Sequence, residues 1–526
     1  MANTVAKAKE YKVQDGDTMQ SIADANGLTL QELAKFNFGT DKQDDVNKGM
    51  RSKVGAFKKS NDGKNLTFSS QDDPGILYIP ENFPEPSFAS NGSHNITVKQ
   101  IPVKTFIPSK VMVEFRPKLN WTGEYGFDWL RIGDNGETTY KTILAGAYKS
   151  TTNNADGTKT VNSYTAAEAW DQLKKEYRKI PTEVKELSNY YVPYLNLYPP
   201  DAKGSNPAPP TSAELRIFTI VEDEEPLTIE FDYHKGIFSL DKDTLSDKAV
   251  GKKREASDKT VTITCLAEFD TDQEIKVLAY PKTWKFNDPI PLAGKIVVRA
   301  NNKGNRKNLK VLLVNVKTQI TNAPRKGKIE GSEKTRLKNS LYQAYVHASI
   351  ENGPDLDLTA DPDYKLVTKA DGTKVYGKFI YKRKNAADTN NDGALNEDAA
   401  GSSFFIDLRT KYLDPVKFPE RSKYQKHFTV FCLDEPTYDP VTHGQVQKLG
   451  VKNVALFQNP GGTRFTGVLA HEVSHGLGLY HTQNSVANAD CKFVFTNKTT
   501  YNVMSYNFKK MYYLWKWQWS IIRRNV

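Results

Sequence analysis

Three of the chain's eight histidines fall inside eleven residues, HEVSHGLGLYH at 471–481. On a helix beginning near Thr466, His471 and His475 lie four residues apart and project from one face, a turn apart. Two imidazoles so placed reach one zinc ion at about 2.0–2.1 Å each. The same helix cannot supply a third ligand and close a tetrahedral site, so it must end and the chain must turn back. Gly478 provides the positive-φ residue for that turn, and His481 follows three residues later. Three protein ligands leave a fourth position open, the mark of a catalytic rather than a structural zinc. Glu472 points about 100° around the helix from His471. It is placed to take a proton from water acidified by the metal and to pass it to a leaving amine. The expected chemistry is peptide-bond hydrolysis.

The short HExxH pattern recurs by accident, but HExxHxxGxxH is much stricter. About twenty residues on comes NVMSY (502–506). Together these residues resemble the metzincin metallopeptidases, whose Met-turn lies beneath the metal. The resemblance implies that Met504 forms that floor. It also implies that Tyr506 matches the tyrosine that ligates zinc and stabilises the oxyanion in astacin-like and serralysin-like members. The order of elements extends the resemblance over 325–526, while the specific match is confined to 471–481 and 502–506. It further implies that the strand in NVALFQNPGG (453–462) borders the cleft and pairs with extended substrate, and the loop 482–500 is the expected specificity loop. A pair of exposed helix histidines is the bland alternative, and it makes the glycine, the third histidine and the Met-turn coincidences. Catalytic Glu472 argues against a protease that keeps its metal without turnover. His94, His234, His347, His427 and His443 have no companions at ligand spacing and read as surface or core residues.

A second motif concerns calcium. DTNNDGALNEDAA places Asp388, Asn390 and Asp392 at loop positions 1, 3 and 5, with Gly393 at 6. Ala399 stands at position 12, where the bidentate glutamate belongs, and Glu397 fits a shorter loop variant. A polar turn is an equal reading.

These residues need elements to position them. A chain of 526 residues holds several domains, since single cores seldom grow past about 250 residues. Charged residues at 26% and hydrophobic ones at 38% give an ordinary globular balance, and no apolar run reaches the ~18 residues of a membrane span. No transmembrane segment is expected. The net charge of +11 comes from scattered lysines, which read as a solvated surface, and no motif supports nucleic-acid binding. The opening MANTVAKAKEYKVQDGDT has no apolar h-region, so no secretory signal peptide is expected. Cys265, Cys432 and Cys491 are too few and too scattered for a disulfide framework. Cys432, in HFTVFCL, reads as core, and a Cys432–Cys491 bridge is not expected.

Four segments follow. In the first, 1–85, a strand at Tyr11 and Val13 precedes a helix capped by Asp17 or Thr18, with Met19, Ile22 and Ala23 inward. Asn26-Gly27 turns the chain, Thr29 caps a second helix (Leu30, Leu33, Phe36), and GILYIP (75–80) closes as a strand. This order resembles a LysM module, which binds N-acetylglucosamine glycans such as peptidoglycan, here through residues 10–80; docking to another protein is the competing role. The second segment, 95–197, is β-rich with one helix at 165–178 (Ala166, Trp170, Leu173, Tyr177). Its aromatic stretch WTGEYGFDWLRIGD reads as core rather than a sugar platform. YPPDAKGSNPAPPTS (198–212) is a linker. The third segment, 213–322, has short alternating strands, including LKVLLVNV, and suggests an immunoglobulin-like β-sandwich. The fourth, 325–526, is expected to be an α+β metzincin-like protease domain. It runs from a helix over EKTRLKNSLYQAYVHASI, through strands FFIDLR, HFTVFCL and NVALFQ, to the zinc helix and a terminal helix burying Trp515, Trp519 and Ile522.

The sequence thus describes a multidomain zinc-dependent endopeptidase acting on proteins and targeted by a glycan-binding module. Two rivals share its features: cleavage of peptidoglycan cross-links, and an adhesion or assembly protein of a contractile injection apparatus in which proteolysis is secondary. Synthesis in the cytoplasm and export as an effector by a signal-independent route is the address that suits such a chain, with a cytoplasmic location as the alternative.

Overall fold

The computed structural model describes residues 7–81 and 105–526 apart from 27, 61–64, 134–137, 186–188, 203–206, 254–258, 286–287, 321–322, 383–392, 396–402, 440, 459–463, 484–490 and 508–509. The chain divides into two compact units, Met1–Thr105 and Phe106–Val526.

In the first unit, helix α1 (Met19–Ala25) starts at Thr18, whose hydroxyl accepts from the Ser21 N–H while Ser21 Oγ accepts from the Thr18 N–H. Helix α2 (Leu30–Phe38) repeats the device with Thr29 and Glu32, and ends at Gly39 with φ +75°. Such reciprocal caps satisfy N–H groups that a helix start leaves open. The closing strand Ile76–Glu81 pairs antiparallel with Lys7–Lys12. The stretch between, 38–74, is part of the core rather than an appendage. It forms helix α3 (Gln43–Gly49), a π-helical turn (Met50–Val54) and a short hairpin, and it buries Val46, Met50, Val54, Leu66 and Phe68 against Ile22, Leu33 and Leu77. Phe38, not the expected Phe36, packs on this core beside Leu30.

The second unit corrects the expected domain boundaries. Val111–Pro117, buried on both faces, can satisfy its backbone only between neighbours, and it pairs over its whole length with Ser212–Val221. Tyr194–Asn196 runs parallel to Ile290–Val298, which also pairs with Phe106–Pro108. Segments 95–197 and 213–322 therefore interleave in one two-sheet sandwich and are not separate domains. The described ends of the Pro-rich stretch belong to it: Tyr198 is buried and its N–H donates to the Pro210 carbonyl. Helix α4 (Tyr140–Ile143) leads into a hairpin, Leu144–Asn153 with Lys159–Tyr164, and helix α5 (Ala166–Lys174) follows, turning Ala169 and Leu173 inward in place of Ala166. The aromatic stretch is core, as expected. Trp121 stacks on Tyr513 at 6.3 Å, and the Arg131 guanidinium lies between the rings of Trp129 and Tyr513.

Lys307–Thr318, which contains LKVLLVNV, leaves the sandwich and becomes the centre of the next sheet, so the boundary near 322 also moves. Its order is Arg325–Lys326, Lys307–Thr318, Phe428–Cys432, Asn453–Leu456, Gly444–Val446, with Val346–Asn352 and Leu356–Asp357 also pairing on Lys307–Thr318. The inner pairings are parallel. Period-two alternation sends Leu309, Val311 and Leu313 to one face, and Leu312, Val314 and Val316 to the other. Helices α6 (Gly331–Tyr342) and α8 (Val468–Gly476) bury the first face, and α7 (Ser403–Tyr412) the second. A mainly parallel sheet covered on both faces replaces the expected α+β arrangement. FFIDLR belongs to α7 and is not a strand. The expected first helix stops at Tyr342, and Val346–Asn352 is a strand. Helix α9 (Lys516–Arg524) buries Trp519 and Ile522, with Trp515 at its N-cap. Cys265, Cys432 and Cys491 are buried, and none of them forms a disulfide among the described residues. Among the described residues, no helix is long and apolar enough to cross a membrane.

Candidate metal centre

Helix α8 starts two residues later than expected, at Val468, and every residue of it is buried. It ends at Gly476, where a Cβ would lie 2.3 Å from Phe428, and Gly478 turns the chain with φ +90°. The turn brings His481 back to the helix. The three Nε2 atoms converge: His471 to His481 is 3.1 Å, His471 to His475 is 3.2 Å and His475 to His481 is 2.9 Å. His471 Nδ1 lies 2.8 Å from the Val503 carbonyl and His475 Nδ1 2.6 Å from the Leu479 carbonyl. A carbonyl can only accept, so each Nδ1 carries the proton and each Nε2 presents a lone pair. Two lone pairs facing each other at 3.2 Å repel unless a cation lies between them. Nitrogens bound to one tetrahedral zinc are separated by about 3.3 Å, given metal distances of about 2.0–2.1 Å. The three rings fit that ion with shifts of a few tenths of an ångström. Burial, with the neighbouring His481 ring adding, pushes the His471 imidazole down to about 3. Burial and the other two rings hold the His475 imidazole well below its ordinary value, so both stay neutral and able to ligate.

The other expected residues gather at the same place. Tyr506 packs its ring 4.6 Å from that of His481 and 5.8 Å from that of His471. Met504 is fully buried in the turn that presents the Val503 carbonyl, and its own carbonyl accepts from the Thr482 N–H. Glu472 is 7% exposed, and burial pushes its carboxyl up to about 8. The strand Asn453–Leu456 is internal, paired on both sides, and cannot receive a substrate. The free edge belongs to Gly444–Val446, which runs antiparallel to it and packs on α8; among the described residues no strand pairs on its outer side. A Cβ on Gly444 would sit 2.6 Å from Glu472 Cγ and 2.9 Å from Val468 Cγ1. Gly444→Val is therefore expected to displace the Glu472 and Val468 side chains and to cost about 1–3 kcal/mol, the range for overpacking a filled site, read by urea unfolding.

Sequence spacing gave no sign of Gly444, or of the Arg464–Glu333 pair that anchors the entry to α8. Arg464 Nε and Nη2 bond the two oxygens of Glu333 at 2.7 and 2.9 Å, with both side chains about 3% exposed. Part of the expected specificity loop, 491–500, forms the strand Phe493–Phe495 and pairs with Leu144–Asn153; residues 484–490 lie outside the described residues. So do Asp388, Asn390, Asp392 and Glu397 of the calcium-loop pattern, and His94. His234, His347, His427 and His443 are not among the groups that could hold a metal in the described residues; His471, His475 and His481 are.

The N-terminal unit has the strand–helix–helix–strand order expected above, and the family model of the LysM domain matches residues 11–51. Residues 11–51 are a LysM domain. The match runs through α1, α2 and α3, and it supports glycan binding by this LysM unit. No curated protein matches the chain.

Proposed function

We propose that the chain is a zinc-dependent metalloendopeptidase of the metzincin kind, hydrolysing protein substrates and held on peptidoglycan by its LysM domain. One observation carries this reading: three Nε2 atoms within 3.2 Å of one another, two of them fixed as bare lone pairs, beside a buried carboxylate. His471, His475 and His481 would hold the ion, which supplies Lewis acidity toward a carbonyl oxygen and toward water. The remaining work falls to the chain's own groups. Glu472 accepts a proton from the attacking water as the water oxygen adds to the peptide carbonyl carbon. It returns that proton to the amide nitrogen as the C–N bond breaks. The Tyr506 hydroxyl, on a ring packed against His481, donates to the oxygen on which negative charge develops. The open edge at Gly444–Val446 offers main-chain N–H and C=O groups to an extended peptide, so recognition is largely of backbone.

Cleavage of peptidoglycan cross-links is the second reading, favoured by the LysM match. An unfolded protein and purified cell wall, incubated side by side with the full chain, separate the two. Chelator-sensitive fragments of the protein are the expected result. Release from the wall alone transfers the substrate to cross-links, and cleavage of neither overturns the enzyme.

A further inference from the structure

We infer a second binding site, for a small oxyanion, in a cleft of about 400 Å³ where residues 303–308 meet His347, Tyr198, Asp201, Ala202 and Pro209. It shares no residue with the histidine cluster. Three buried polar atoms on its lining residues have no hydrogen-bond partner: Tyr198 Oη, Arg306 Nε and His347 Nε2. Leaving a buried polar atom unpaired is destabilising, so three on the residues lining one cleft point to something that pairs with them. Arg306 Nε can only donate, the tyrosine hydroxyl can donate, and the imidazole, kept neutral by burial, donates from Nε2 in the tautomer that carries its proton there. The complement is a group rich in acceptors.

Charge gives its sign. Lys303 and Lys307 stand exposed at the cleft, and neither forms an ion pair among the described residues. Arg306 is held by Asp201 at 3.3 Å through Nη1 and by Glu268 through Nη2, while Nε bonds neither carboxylate. The Tyr198 ring is in turn fixed edge-on between Tyr342 and Tyr345, at 5.5 and 5.4 Å. Donors set on rigid rings and a clamped guanidinium, with two free ammonium groups at the mouth, suit a phosphate, sulfate or carboxylate group. The cleft admits a ligand considerably larger than a bare inorganic ion, so the oxyanion can be the head of a larger metabolite or polymer.

Calorimetric titration of the full chain with inorganic phosphate, sulfate and citrate tests the site without any readout of proteolysis. At least one should bind saturably, and which of them does distinguishes a tetrahedral from a carboxylate head. Tyr198→Phe is the sharpest variant, because it removes an unpartnered hydroxyl. Its Tm without ligand should equal or exceed that of the parent chain, while Kd for the anion rises about tenfold. Lys303→Ala/Lys307→Ala, at exposed positions, should raise Kd by at least tenfold. Absence of saturable binding by all three anions overturns the site. Binding of equal strength in both variants does so as well.

Discussion

Glu472→Gln is expected to lower kcat about 10²–10⁴-fold, the usual contribution of a positioned general acid–base group, while zinc stays bound. The amide keeps the shape of the carboxylate and loses only its ability to exchange a proton. The same variant reads a second property. Burial raises the Glu472 carboxyl from 4.5 to about 8 in the folded metal-free chain. Between those values the folded state holds a proton that the unfolded state releases, so this group makes stability fall as pH rises across that window. Urea unfolding in chelator should therefore show the parent chain losing stability relative to Glu472→Gln between pH 5 and pH 8. Equal slopes would mean that the carboxyl is solvated, and full activity in the variant would remove it from the chemistry.

Arg464→Ala is expected to cost about 3–5 kcal/mol, the range for stripping one partner from a buried ion pair. Glu333 would be left as an uncompensated carboxylate at 2% exposure on α6, whose side chain also accepts from the Glu330 N–H. Arg464 also donates to the Lys328 carbonyl at 2.9 Å, so its loss frees the segment that leads into α8. Replacing both charges with methionine should cost less than the single substitution, because no unpaired charge remains. Urea denaturation of the two variants measures the difference, and a cost below about 1 kcal/mol for Arg464→Ala would show that water reaches the pair.

The convergence of the three histidines around α8 was legible because its information is local: an i, i+4 pair, a glycine at the turn and a third histidine within eleven residues. Its supports were not, since the Val503 and Leu479 carbonyls and Gly444 come from backbone that spacing does not reveal. The sheet assignments show the same limit. LKVLLVNV reads as a strand from its apolar run, but only its partners at Val346–Asn352 and Phe428–Cys432 decide which sheet it joins. FFIDLR looked like a strand because the window was short. Over ten residues, buried Phe404, Phe405, Leu408 and Tyr412 follow helical spacing. The first helix of the sheet region ends at Tyr342 without a glycine signal, and the turn that follows closes at Tyr345 with φ +57°. A bulky left-handed residue is uncommon, and no turn composition announces it.

Metal content measured on the purified chain and on His475→Ala tests the central claim most directly. The account predicts about one zinc per chain in the parent and almost none in the variant, with the two giving the same far-ultraviolet circular dichroism. A parent chain that carries no zinc, and takes it up no more tightly than His475→Ala does, would contradict it.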